Sequence, residues 1–143
     1  MHSARLATAA LAFLAASAGP APAGSASCSD SEASTAGRAV YTIGDWEGLG
    51  QFYKKYRGCD DGDVSLELSD RVSDLLANHW DTLATLKEQL GDSDSYAKFV
   101  FYHIDPTVMP ERYPQILDNA KNDCPADDAD LCGQIAAAAT AKQ

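Results

Sequence analysis

Apolar side chains recur three and four positions apart along most of this chain, which is the spacing of one face of an α-helix. The pattern begins at Trp46, Leu49, Phe52, Tyr53 and Tyr56, with Asp45 placed to cap the helix start and Gly58 to stop it. Gly48 and Gly50 weaken that helix by about 1 kcal/mol each relative to alanine. The strongest stripe follows the turn at 58–63. It runs through Val64, Leu68, Val72, Leu75 and Leu76, with Glu67, Asp70, Arg71 and Asp74 on the opposite face. Trp80, Leu83, Leu86 and Leu90 continue it after a break at Asn78-His79, and Gly91 ends it. Asp92 or Ser93 caps a short helix holding Tyr96, Phe99, Val100 and His103. Pro110 opens another, with Tyr113, Ile116, Leu117 and Ala120, and Asp127 or Asp128 caps a last alanine-rich one with Leu131 and Ile135. Only Ala39-Val40-Tyr41-Thr42-Ile43 reads as a strand, and it has no partner. The expectation is an all-α protein, a compact bundle or short helical-hairpin array of five to six short helices. Leu68, Val72, Leu75, Leu76, Leu83 and Leu86 should line its core, joined by Trp46, Trp80 and Phe99.

The amino terminus departs from this pattern. Leu6 to Gly19 are small and apolar, Arg5 precedes them, and Pro20 and Pro22 end the run before Ala21-Pro22-Ala23, a small-x-small cleavage pattern. The run is too short to span a bilayer, which takes about 20 apolar residues. Residues 1–23 are therefore read as a secretory signal peptide, 24–38 as a flexible leader, and 39–143 as a single helical domain. The alternative cut lies at Ser25-Ala26-Ser27-Cys28, which would make Cys28 a lipid-anchored residue. Ser25 stands where such sequences usually carry leucine. Cleavage after Ala23 keeps Cys28, Cys59, Cys124 and Cys132, an even number suited to an oxidising compartment. Four cysteines allow three connectivities. Closing the short Cys124–Cys132 loop is the cheapest, which leaves Cys28 with Cys59. Loop entropy then contributes roughly 2.5 and 3.5 kcal/mol respectively.

Charge narrows the function. The sequence has 11 Lys+Arg against 21 Asp+Glu, a formal net charge of -10. Loss of residues 1–23 removes one basic residue and no acid, leaving 10 against 21 and a net charge of -11. Such a chain is a poor nucleic-acid ligand, because that affinity rests on Lys and Arg contacts to phosphate. No other run is apolar enough to embed in a membrane.

Three groups of residues carry candidate chemistry. His79-x-Asp81 and His103-x-Asp105 pair an imidazole with a carboxylate, the elements of a proton shuttle or a metal site. They also suit helix corners, where each Asp caps the next helix. The two stretches align as Leu75–Asp81 and Phe99–Asp105 with a shift of 24 residues, as a repeated helix corner would. Cys59-Asp60-Asp61-Gly62-Asp63 offers carboxylates for calcium, but Gly62 and Glu67 stand at the wrong positions for an EF-hand loop. Asp127, Asp128 and Asp130 form an acidic knob, either a solvated helix start or a surface for a basic protein partner. No motif implies a cofactor or a metal, and none of the common nucleophile or phosphate-binding signatures is present.

The signal peptide, the Cys59-Asp60-Asp61-Gly62 turn, Trp80-Asp81, His103-Ile104-Asp105 and the Cys124–Cys132 loop together resemble small secreted proteobacterial proteins of unassigned role. That resemblance covers most of the chain beyond the signal. By analogy of size, address and fold it implies an immunity-like protein, and it assigns no functional residue. The reading is a periplasmic or secreted binding or inhibitor protein that acts by surface complementarity. The alternatives are a small secreted hydrolase using His79, Asp81, His103 and Asp105, and a structural envelope protein.

Overall fold

The structure is a computed structural model and describes residues 27–141. The expected signal peptide and its cleavage point lie outside the described residues. Among these, seven α-helices account for the regular structure, with no strand: α1 (Asp30–Ala39), α2 (Trp46–Tyr56), α3 (Gly62–Asn78), α4 (Leu83–Leu90), α5 (Asp94–Tyr102), α6 (Tyr113–Asn122) and α7 (Ala129–Thr140). No described helix is long and apolar enough to cross a membrane.

The fold is all-α, as the periodicity predicts, but it has one helix more than expected. Residues 30–38, expected as part of a flexible leader, form α1. Ser29 and Glu32 close a capping box there: the Ser29 Oγ accepts from the Glu32 N–H, and the Glu32 carboxylate accepts from the Ser29 N–H. Ala36 is buried, and Cys28 is bonded to Cys59, so the helix is fastened at its start and packed along its length. The segment expected as a strand is a single 3-10 turn, Val40–Thr42, which buries Val40 and leads into buried Ile43. Its β-branched residues serve core contact and not a sheet.

The long α3 is the centre of the molecule. It packs against α1 on one side and α6 on another, while α6 lies along α7, and α4 bridges α2 and α5. Leu68, Val72, Leu75 and Leu76 of α3 are buried with Leu83 and Leu86 of α4, Trp46 of α2 and Phe99 of α5. Trp80 is only partly buried; its indole N–H instead donates to the Asp123 carbonyl at the end of α6. Asn119 does the equivalent for α3, donating to the Leu76 and Ala77 carbonyls. These side chains satisfy backbone oxygens that helix ends leave without partners. Gly91, at a positive φ of 43°, stops α4 where other residues would be strained.

Two disulfides, Cys28–Cys59 and Cys124–Cys132, join the cysteines in the expected pairs. No cysteine of the chain remains free. Bonds of this kind belong to an oxidising, non-cytoplasmic compartment.

Candidate functional site

The two histidine corners are not equivalent. His79 ends α3 half in solvent, 4.0 Å from Asp74, and Asp81 is exposed beside it. His103 is 0% exposed and lies between other elements. The Asp105 carboxylate accepts from the Thr107 N–H at 3.0 Å and the Thr107 hydroxyl at 2.8 Å, closing its own turn. The partners of His103 come from far away in sequence. Its Nε2 is 3.0 Å from Asp60 Oδ2, and its Nδ1 is 3.1 Å from Ser69 Oγ, which lies 3.1 Å from the Ser65 carbonyl.

Proton counting sets the roles in this chain of groups. The ring donates from Nε2–H to the Asp60 carboxylate. A second ring proton on Nδ1 would donate to Ser69, whose own hydroxyl proton then goes to the Ser65 carbonyl. In the neutral ring Ser69 donates to Nδ1 instead. Burial pushes the Asp60 carboxyl up, but the hydrogen bond and charge of His103, with help from the Ser65 hydroxyl, hold it below the usual carboxylate value. Carboxylate, imidazole and hydroxyl are the parts of a nucleophilic triad. Here Ser69 is only 5% exposed and the ring is closed over by Phe99 and Tyr102, with centroids 4.7 and 5.1 Å away. The array therefore fastens the 57–60 turn and α3 to α5.

Only Asp60 of the three reaches the surface, and it does so at the edge of a cleft between α2 and α5. Tyr53, Lys54 and Lys55 come from the last turns of α2, Arg57 and Gly58 from the turn after it, and Ser95, Lys98, Phe99 and Tyr102 from one face of α5. The cleft has a volume of about 750 Å³, within the range of small-molecule sites. Its floor is aromatic: Tyr53 meets Phe99 at 5.0 Å and Tyr96 at 4.9 Å, tilted by 55° and 48°. Arg57 lies over the Tyr53 ring at 5.4 Å, and Lys55 over Tyr56 at 5.0 Å.

The cations here are distinctive because the other arginines and lysines are mostly spoken for. Nine of the 11 basic residues are described, all but Arg5 and Lys142. Arg71 bonds Glu67, Arg112 bonds Asp70 at 2.5 Å, and Lys87 bonds Asp128 at 2.5 Å. Lys54, Lys55, Arg57 and Lys98 make no ion pair among the described residues, and all four line this one cleft. Lys54 and Lys55, in the last turn of α2, also complement its dipole.

A second, smaller pocket of about 280 Å³ shares Tyr53 and Lys54 with this cleft and is lined besides by Gly50, Gln89, Ser93 and Tyr96. Tyr96 is 4% exposed, and its hydroxyl makes no hydrogen bond among the described residues. Burial, then the neighbouring Tyr53, pushes that phenol well above its ordinary value, so it stays protonated and a donor.

The acidic knob is smaller than expected. Asp127 and Asp130 are exposed, but Asp128 is 6% exposed and holds the Lys87 ammonium. The carboxylates of the 59–63 turn also have separate tasks: Asp60 meets His103, while Asp61 caps α3 through the Gly62 N–H at 2.8 Å. Among the described residues no three His, Cys, Asp or Glu side chains gather as metal ligands would. The basic cleft escaped the sequence reading, although Lys54-Lys55-x-Arg57 is the densest cationic run in a strongly acidic chain. Comparison with known protein families, with curated proteins and with solved structures finds no match to this chain.

Proposed function

We propose that this protein is a binding or inhibitor protein of the periplasm or the secreted space, acting by recognition at a preformed surface and not by turnover. The carrying observation is the segregation of charge: four cations that make no ion pair among the described residues converge on an aromatic cleft in an otherwise acidic molecule. Such a surface attracts an anionic partner at long range and holds it by contact at short range. The apolar run at 6–19 and the small-x-small pattern at 21–23 support export with a cut after Ala23, giving a mature chain that starts at Gly24. An immunity-type role belongs to the same class of action. The acidic knob retains only Asp127 and Asp130 as outward charges, so the α2–α5 cleft is the stronger candidate surface.

The test is hydrogen exchange on the oxidised protein, with and without an extract of the envelope and medium of the secreting cell. The α2 and α5 amides should exchange more slowly with extract, and a Lys54→Glu/Arg57→Glu/Lys98→Glu variant should lose that protection. Equal exchange in every condition overturns the reading. So does hydrolytic turnover of ester, phosphoester, peptide or glycoside substrates that Asp60→Asn abolishes. Intact mass decides the processing: a diacylglycerol adduct on Cys28 would make the protein a lipoprotein.

A further inference from the structure

Building on that binding reading, we propose that the α2–α5 cleft is a site for an anionic saccharide, a sugar bearing a phosphate or carboxylate group. Three features of the cleft each select one property of the ligand. The ammonium groups of Lys54 and Lys98 and the guanidinium of Arg57, which make no ion pair among the described residues, select negative charge. Asp60 selects the opposite, a hydrogen-bond donor, because a carboxylate only accepts. A ligand that satisfies both carries hydroxyls as well as an anion. His103 holds that carboxylate in place from behind, 3.0 Å away, so the acceptor is preorganised.

The third feature is the aromatic floor. Tyr53 is tilted on both Tyr96 and Phe99, which lie nearly parallel with centroids 6.2 Å apart, and Arg57 covers the face of Tyr53. The near-parallel pair is already in ring-to-ring contact, so no slot for a planar base opens between them, while the rings offer edges and an apolar wall to the C–H faces of a sugar. Tyr102, 60% exposed, stands at the rim.

The orphan hydroxyl of Tyr96 gives the site its depth. A buried donor without a partner costs the folded protein free energy, and such groups are few in native structures. This one belongs to a residue that lines the second pocket, beside Tyr53 and Lys54. A Cβ built on Gly50 would stand 3.6 Å from the hydroxyl and 2.7 Å from Gln89 Oε1, so the glycine leaves the space between these two polar atoms open. A ligand oxygen reaching past Lys54 would accept from Tyr96 and pair with the nearby ammonium.

The experiment titrates the full oxidised chain with glucose 6-phosphate and with glucuronate, followed by amide chemical shifts. Glucose, inorganic phosphate and adenosine monophosphate serve as comparisons. At least one anionic sugar should shift the Gly50, Lys54 and Lys98 amides and bind roughly tenfold or more tightly than glucose, phosphate or the nucleotide. Which of the two binds separates the phosphate from the carboxylate form. Lys54→Gln/Lys98→Gln should weaken binding by about tenfold or more at low salt. Tyr96→Phe is the sharper variant. Its hydroxyl makes no hydrogen bond among the described residues, so the thermal midpoint should not fall, while binding weakens by about tenfold. Binding of inorganic phosphate as tight as that of the sugars overturns the proposal, as does tighter binding of the nucleotide or an unaffected Tyr96→Phe. If neither sugar binds but extract still protects α2 and α5, the ligand assignment falls and the binding reading stands; loss of both removes the two together.

Discussion

Asp60 connects the interior to the cleft, so its ionisation should be felt in both places. Its carboxyl is held below the ordinary value of 3.8 in the folded protein. A depressed carboxyl stabilises the fold above the unfolded value, and that stabilisation is lost as pH falls through the folded one. Asp60→Asn should therefore cost about 1–3 kcal/mol near neutral pH, the range for breaking a hydrogen bond between buried groups. The deficit should shrink toward about pH 3 and below in urea melts, as the wild-type carboxyl also takes up its proton. A deficit that stays constant through this range would show that the carboxylate charge contributes nothing. The acidic knob makes a second prediction at this scale. Asp127→Asn should leave the thermal midpoint unchanged, whereas Asp128→Asn should lower it, because Asp128 is buried against the Lys87 ammonium. Equal effects from the two substitutions would contradict that division of labour.

At the scale of the helix, readability follows the size of the side chains. The 64–90 stripe was legible because Leu and Val fill its large core positions, with only the small Ser69, Ser73 and Ala77 buried beside them, and Asn78-His79 interrupts it where α3 does end. α1 was hidden because its inward positions are Ala and Thr, which bury little area and give little periodic contrast. The Ser29-x-x-Glu32 box was its readable sign. A short helix of this kind draws its stability from attachment, and Cys28–Cys59 supplies it. Replacing both cysteines by serine should cost roughly 3.5 kcal/mol on loop entropy and should speed amide exchange first in α1. Uniform acceleration across all seven helices would mean that the bridge acts on the whole fold and not on α1. The His103 array was beyond any spacing rule. Its partners are 43 and 34 positions away, and the adjacent Asp105 was the misleading neighbour.

Over the whole molecule the charges are unevenly shared. A protein with a net charge of -10 should pass unretained through a sulfated matrix, yet the cations around Tyr53 and Phe99 form one coherent face. The oxidised protein should be held on such a matrix at low salt and released as screening shortens the reach of the charges. Lys54→Gln/Lys98→Gln should elute in the void. Retention that survives this double change would move the contact to another face.

The disulfides bear on how the molecule is made. The cysteines are joined in the order in which they occur, first to second and third to fourth. A chain that meets its oxidant amino terminus first finds, for each thiol, that the next thiol to arrive is the native partner. Pairing across the two halves would require the first bridge to wait. Oxidation from the amino terminus onward would therefore give the native connectivity directly, with an electron acceptor and without reshuffling of mistaken bonds.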